Sequence, residues 1–146
     1  MRPLRETGRL VLTLLLGFTA LWSGSCALKL PAPENHTSRL SDPTILKRLC
    51  PDGVGTTHFL LQGESHVTGA LSCQPSHATL VLLNTIGVRI RTISLSSTGE
   101  AHDEISYLST NQSPVDELCA LLAAALEAPT HDAHSPSLGL EITISQ

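Results

Sequence analysis

Apolar residues fall along this chain mostly in short runs, with one longer helical stripe near the end. Thr56–Leu61 and Val67–Ser72 have the length and composition of strands and flank a polar loop at Gln62-Gly63-Glu64-Ser65. Ala78–Leu83 is a continuous apolar run, consistent with a buried strand. A turn at Asn84–Gly87 follows. Val88-Arg89-Ile90-Arg91 then alternates strictly, and Ile93 and Leu95 resume the alternation after a one-residue slip at Thr92. That pattern predicts a strand with outward-facing arginines and a bulge.

Two segments carry helical signals. In Leu40–Leu49, Asp42 suits an N-cap, Pro43 the first helical position, and Ile45, Leu46 and Leu49 share one face. The second helix starts at Ser113-Pro114-Val115-Asp116, with Ser113 as cap and Asp116 and Glu117 in the first turn, and runs to about Glu127, where Pro129 stops it. Leu118, Leu121, Leu122, Ala125 and Leu126 form its apolar stripe. Between strands and helix, 96–110 reads as polar and irregular. Beyond the helix, 130–137 reads as a mobile tail, and Leu140–Ile144 as an edge strand. The expected fold is α+β: a small disulfide-stapled sheet of about three to four short strands, packed with one main helix and a short N-terminal one.

The N-terminus changes the picture of where this domain works. Arg2, Arg5 and Arg9 precede an uncharged apolar run, Leu10–Trp22, and then the small residues Ser23-Gly24-Ser25-Cys26-Ala27. This reads as a signal peptide over 1–25, too short for a comfortable membrane span. A single domain over 26–129 and the tail over 130–146 follow. Past residue 25, six Lys and Arg stand against twelve Asp and Glu, a net charge of −6. That balance argues against nucleic acid and anionic membranes as main partners. Only Phe59 and Tyr107 remain as aromatics, so the core must be aliphatic. The four cysteines, Cys26, Cys50, Cys73 and Cys119, suit disulfides in an exported chain, with three connectivities open. Asn35-His36-Thr37 is a glycosylation sequon in a polar stretch.

Candidate chemistry is sparse. His131-Asp132-Ala133-His134 has metal-like spacing but reads as a solvated tail, and His58 and His66 read as exposed or structural. Gly63-Glu64-Ser65-His66-Val67 starts like a nucleophile elbow, with Val67 where the closing glycine belongs. The adjacent pairs Asp103-Glu104 and Asp116-Glu117 point to different faces, which suits solvation or capping better than a dyad. No enzyme, metal site or cofactor is expected; a binding or assembly protein is.

The order of these features resembles herpesvirus glycoprotein L: a short segment ending in Cys50, a hairpin-sized interval to Cys73-Gln74-Pro75, the aliphatic run Ala78–Leu83, and the helix Asp116–Leu126. The aromatic residue that often ends the post-Cys strand in that family is replaced by Leu82 and Leu83, and the aromatic-Asn-Pro element is missing. The resemblance implies a secreted glycoprotein that pairs with glycoprotein H, helps it fold and reach the virion envelope and host cell membrane, and takes part in fusion with glycoprotein B downstream. Membrane association would come only through the partner. It further implies a Cys50–Cys73 bridge, with Cys26 and Cys119 open, a glycan on Asn35, and Leu118, Leu121, Leu122 and Leu126 as the partner-binding face.

A second resemblance runs through Thr85–Leu95, which is similar to strands of the bacterial outer-membrane lipoprotein-localisation fold. It implies a lipidated Cys26 and an open barrel that binds acyl chains. Gly24 and Ser25 fit a lipoprotein signal, while Ser23 stands where a Leu-like residue is expected.

Overall fold

A computed structural model describes residues 30–145. Eight strands and two helices follow in order: β1 (Glu34–Arg39), α1 (Ile45–Leu49), β2 (Gly55–Gln62), β3 (Val67–Gln74), β4 (His77–Leu83), β5 (Arg89–Ser96), β6 (Glu100–Ile105), α2 (Val115–Glu127), β7 (Asp132–Ser135) and β8 (Leu140–Ser145). All strands join one sheet, ordered β1-β6-β5-β4-β3-β2-β8-β7, and every pairing is antiparallel. β1 and β7 form its two edges.

This overturns the expected sheet of three to four strands. The central hairpins β2–β3 and β4–β5 lie where the apolar pattern put them. The sheet grows through strands that the pattern could not show. β6 carries only Ala101 and Ile105 as apolar residues, and its central inward position is Asp103. β1 is exposed at all six positions, so it adds hydrogen bonds without adding to the core. The residues 130–137 expected as a mobile tail hold β7, and the strand expected at Leu140–Ile144 is β8. β8 is not an edge: it lies between β2 and β7 and buries Leu140 and Ile142.

One face of the sheet holds the core. Phe59, Leu61, Val67, Leu71, Leu80, Leu82, Ile93, Leu95 and Ile142 alternate inward and share one buried cluster with Leu118, Leu121 and Leu122 of α2. Each such aliphatic side chain contributes about 1.5–3 kcal/mol when taken from water. The opposite face carries Thr68, Ala70, Ser72, Thr79 and Ser94, with the half-buried apolar residues Leu60, Val81 and Leu83 among them.

The β4–β5 bulge falls two residues before its expected place. The register slips between Leu82, which pairs with Arg91, and Leu83, which pairs with Arg89, so Ile90 is the extra residue. The consequence is a correction of face. Arg91 does not point outward; it turns into the core, 2% exposed, while Arg89 stays in solvent.

α1 is shorter than expected. Thr44 takes the cap position, and Asp42 accepts hydrogen bonds from both Thr44 N (2.8 Å) and Thr44 Oγ1 (2.7 Å). These bonds hold the Asp42 carboxyl below its usual range. In α2 the cap position falls on Pro114, not Ser113, and no side chain caps the helix.

Cys50, just past α1, is bonded to Cys73, an inward position on β3, across a sequence separation of 23. The bridge ties the short helix to the sheet. Replacing both cysteines by serine is expected to cost about 3 kcal/mol in the chain-entropy model. Urea unfolding of the double variant checks this; a loss under about 1 kcal/mol would show that α1 is held by packing alone.

Candidate functional site

The least expected part of the molecule is a polar centre inside the aliphatic core. Arg91 and Asp103 are 2% and 4% exposed. They lie on neighbouring strands, where Ile93 pairs with Asp103 and Arg91 with Ile105, so the two side chains meet diagonally on the inner face. The guanidinium donates from Nε to Asp103 Oδ1 (2.9 Å) and from Nη2 to Oδ2 (2.7 Å). From Nη1 it donates to Asn111 Oδ1 (2.9 Å) and to the Asn111 carbonyl (3.4 Å). Ser113 N also donates to Asn111 Oδ1, and Ser109 Oγ to its carbonyl. Burial of this ion pair is tolerated because the geometry is bidentate and the third guanidinium corner is matched. Both Asp103 oxygens are engaged by the guanidinium, so the centre reads as a fastener, not a catalytic group. What it fastens is the segment from β6 to α2.

Asn111 was the residue sequence reasoning missed. It stands in a second sequon, Asn111-Gln112-Ser113, just before the helix, a position where Asn commonly bonds its own backbone two residues on, as it does here to Ser113 N. Asp103, read from sequence as solvated or capping, is instead buried and paired.

Cys119 is a free thiol, fully buried on α2. Burial first, then the nearby Asp116 carboxylate, push it up to about 12. It is inert as a nucleophile at neutral pH. Cys26, the other cysteine left open, lies outside the described residues, as does the leader over 1–25.

The helix face assigned to a partner is occupied by the chain itself. Leu118 and Leu122 are 0% exposed and Leu121 7%, all against the sheet; Leu126 is half-buried. α2 is held at its ends by surface bonds. Arg48 donates to Glu127 from Nε (2.7 Å) and Nη2 (2.9 Å), and Ser41 N donates to Asp116 Oδ1 (3.1 Å). The Arg48 bonds lower the Glu127 carboxyl from its usual range. Such exposed pairs are worth little each.

Asn35 sits exposed on the edge strand β1, its neighbour Thr37 accepting or donating with His102 Nδ1 (3.2 Å). His58 faces solvent from β2, and His66 sits exposed in the loop before β3. His131 precedes β7 with a positive φ of 58°, and His134 is exposed within that strand. Among the described residues no group of three or more His, Cys, Asp or Glu is placed to hold a metal ion. Ser65, in the elbow-like stretch, shares a hydrogen bond with Thr110 Oγ1 (3.2 Å) and has no base beside it in that bond.

One end of the sheet gathers the loops 62–66, 84–88, 106–114 and 136–139. A recess of about 220 Å³ opens there, with Leu61, Val67 and Leu140 as its apolar floor and Glu64, Ser65 and Gln112 at its rim. Ligand sites commonly run to about 300–1,000 Å³, so this recess is small. Ile86, at the tip of the β4–β5 hairpin, is 80% exposed. No helix among the described residues is long and apolar enough to cross a membrane. Comparison with protein-family models, with curated proteins and with solved structures finds no match, so the reading of this site rests on its own geometry.

Proposed function

We propose that the chain is an envelope lipoprotein of the lipoprotein-localisation type, anchored through Cys26, whose sheet and α2 form an acyl-chain-binding domain. The observation that carries this reading is the architecture: one continuous antiparallel sheet, open at both edges, with a Leu/Ala helix laid on the face that buries the core. The stretch Thr85–Leu95, on which that resemblance rests, supplies the β4–β5 turn and most of β5. The surface under α2 is aliphatic: Leu71, Leu80, Leu82, Leu118 and Leu122 belong to one buried cluster. An acyl chain is chemically equivalent to the helix side chains it would replace. In the described state that surface is filled, so binding requires α2 to shift. Weak surface bonds at its ends and the lack of a side-chain cap favour such a shift.

The test is crosslinking with a photoactivatable fatty acid on the unlipidated Cys26→Ser chain. Adducts on the sheet-facing side of α2 and on β3–β4, competed away by palmitate, are the expected result. Adducts confined to solvent-facing positions, unaffected by palmitate, would remove the acyl-binding reading.

A second reading is a glycoprotein L-type partner of glycoprotein H, favoured by the exposure of the Asn35 sequon on β1. Its physical support is weaker, because the helix face it needs is buried within the chain. Expression in mammalian cells with glycoprotein H decides it. Co-precipitation and partner-dependent surface delivery would support it, and secretion of the chain alone with no effect on glycoprotein H would end it.

A further inference from the structure

We infer that β1 pairs antiparallel with β1 of a second copy of this chain, about a two-fold axis through Thr37, so that two sheets join edge to edge. The inference stands apart from the acyl-binding reading. An edge strand presents a row of unpaired backbone N–H and C=O groups, and folded proteins guard such rows with shortness, proline, lysine, a bulge or a covering element. The two edges of this sheet differ in that respect. β7 is guarded: it has four residues, starts after His131 at a positive φ of 58°, ends at Pro136 and packs Ala133 against the core. β1 is bare. Its six residues pair with β6 without a break in register, hold no proline or lysine, and are exposed at every position. Glu34 and Arg39 stand at its ends, so Asn35-His36-Thr37-Ser38 between them offers a polar template without a carboxylate, ammonium or guanidinium. A strand with no apolar face is held by its ladder, and a second ladder on the free side adds to that hold.

Symmetry and charge name the occupant. A two-fold axis normal to a continuous sheet sets residues of the same face opposite each other, so the axis passes through a residue and not between two. With the axis on Thr37, Thr37 meets Thr37 of the second copy, Asn35 meets Arg39 and His36 meets Ser38. Each pair matches hydrogen-bonding groups and none sets like charges opposite, the condition for favourable cross-strand pairs. With the axis on His36, two imidazoles would face each other and Arg39 would stand opposite Pro33. The Thr37 register also extends rows that each sheet already holds. Thr37 Oγ1 lies 3.2 Å from His102 Nδ1, so the row His102–Thr37 continues across the joint into its own symmetry mate. Arg39 pairs with Glu100 on its own β6 and Asn35 with Glu104, so the guanidinium enters an acidic neighbourhood drawn from both copies. The joint runs only from Asn35 to Arg39 on each side, and interfaces under about 1,200 Å² belong to weak, transient complexes.

Cysteine crosslinking reads the register in the full chain made in bacteria with Cys26→Ser. Among the described cysteines, Cys50 and Cys73 are bonded to each other and Cys119 is buried. Thr37→Cys, His36→Cys and Asn35→Cys all change exposed positions, so folding is not at stake. At the axis, the paired Cβ atoms lie about 4.5–5.5 Å apart, near enough to close a disulfide with a small adjustment. Residue 35 stands four positions from its own copy along the strand, about 13 Å. Mild oxidation is expected to link Thr37→Cys into a dimer at least tenfold faster than His36→Cys or Asn35→Cys. Equal rates at the three positions, or a maximum at 35 or 36, overturn the pairing. Sedimentation equilibrium gives a second readout. The parent is expected to form a concentration-dependent dimer, weakened at least tenfold by Thr37→Lys, which sets two ammonium groups opposite each other, and unchanged by Thr68→Lys at an exposed position of β3. A parent that stays monomeric up to about 1 mM, or an equal loss in both lysine variants, overturns it as well.

Discussion

Asp103→Ala is expected to destabilise the protein by about 3–5 kcal/mol, the cost of leaving a buried charge unpaired. Arg91 would keep its bonds to Asn111 but lose both carboxylate bonds at 2% exposure. Against a typical stability of about 5–15 kcal/mol, that loss takes a large share of the folded state. With a urea slope of about 1–3 kcal/mol/M, the midpoint should fall by 1 M or more. The paired replacement Arg91→Met with Asp103→Leu removes both charges and should recover most of the loss. A second readout follows from geometry. Asn111 would then be held by a guanidinium that Asp103 no longer clamps, so the loop 106–113 should become the first site of proteolytic cleavage in Asp103→Ala. If the single variant stays within about 1 kcal/mol of the parent, the centre is not the fastener described here.

Phe59→Ala is expected to cost about 3–5 kcal/mol, at the upper end for core truncation. Phe59 is the one aromatic residue in the buried core and is 1% exposed. Its ring lies over Gly69, its partner across the β2–β3 ladder, and a Cβ added at Gly69 would overlap three ring atoms. The glycine is there for close approach, not for a turn. Gly69→Ala should therefore destabilise by about 1–3 kcal/mol through overpacking. Combining it with Phe59→Leu should cost less than the sum of the two single changes, because the smaller side chain makes room. Urea or thermal unfolding of the four proteins gives the coupling directly. Strict additivity would mean that ring and glycine do not meet as described.

What could be read from the sequence was the part written in hydrophobic pattern. β2 to β5 and α2 each bury residues at a regular period, and their positions follow from it. Pattern reading fails where a strand joins the sheet without an apolar face. β1 is exposed throughout, and β6 turns an aspartate inward. A turn signal for β6 was present in Ser97-Thr98-Gly99, where Gly99 takes a positive φ of 80°. The arginines of β5 were misread for a different reason. A bulge reverses the face of every residue on one side of it, and its position by two residues decides whether Arg91 meets solvent or Asp103. The candidate site was least legible because its members, Arg91, Asp103 and Asn111, are distant in sequence and ordinary one by one. The stripe Leu118-Leu121-Leu122 follows from periodicity, but periodicity does not say whether the surface that covers it is a partner or the chain's own sheet.

The most direct measurement is the intact mass of the mature chain isolated from a bacterial envelope, with Cys26→Ser beside it. The account predicts a chain that begins at Cys26 and carries a diacylglyceryl group, lost together with membrane retention in the variant. A soluble mature chain with an unmodified Cys26, released equally by parent and variant, would contradict it.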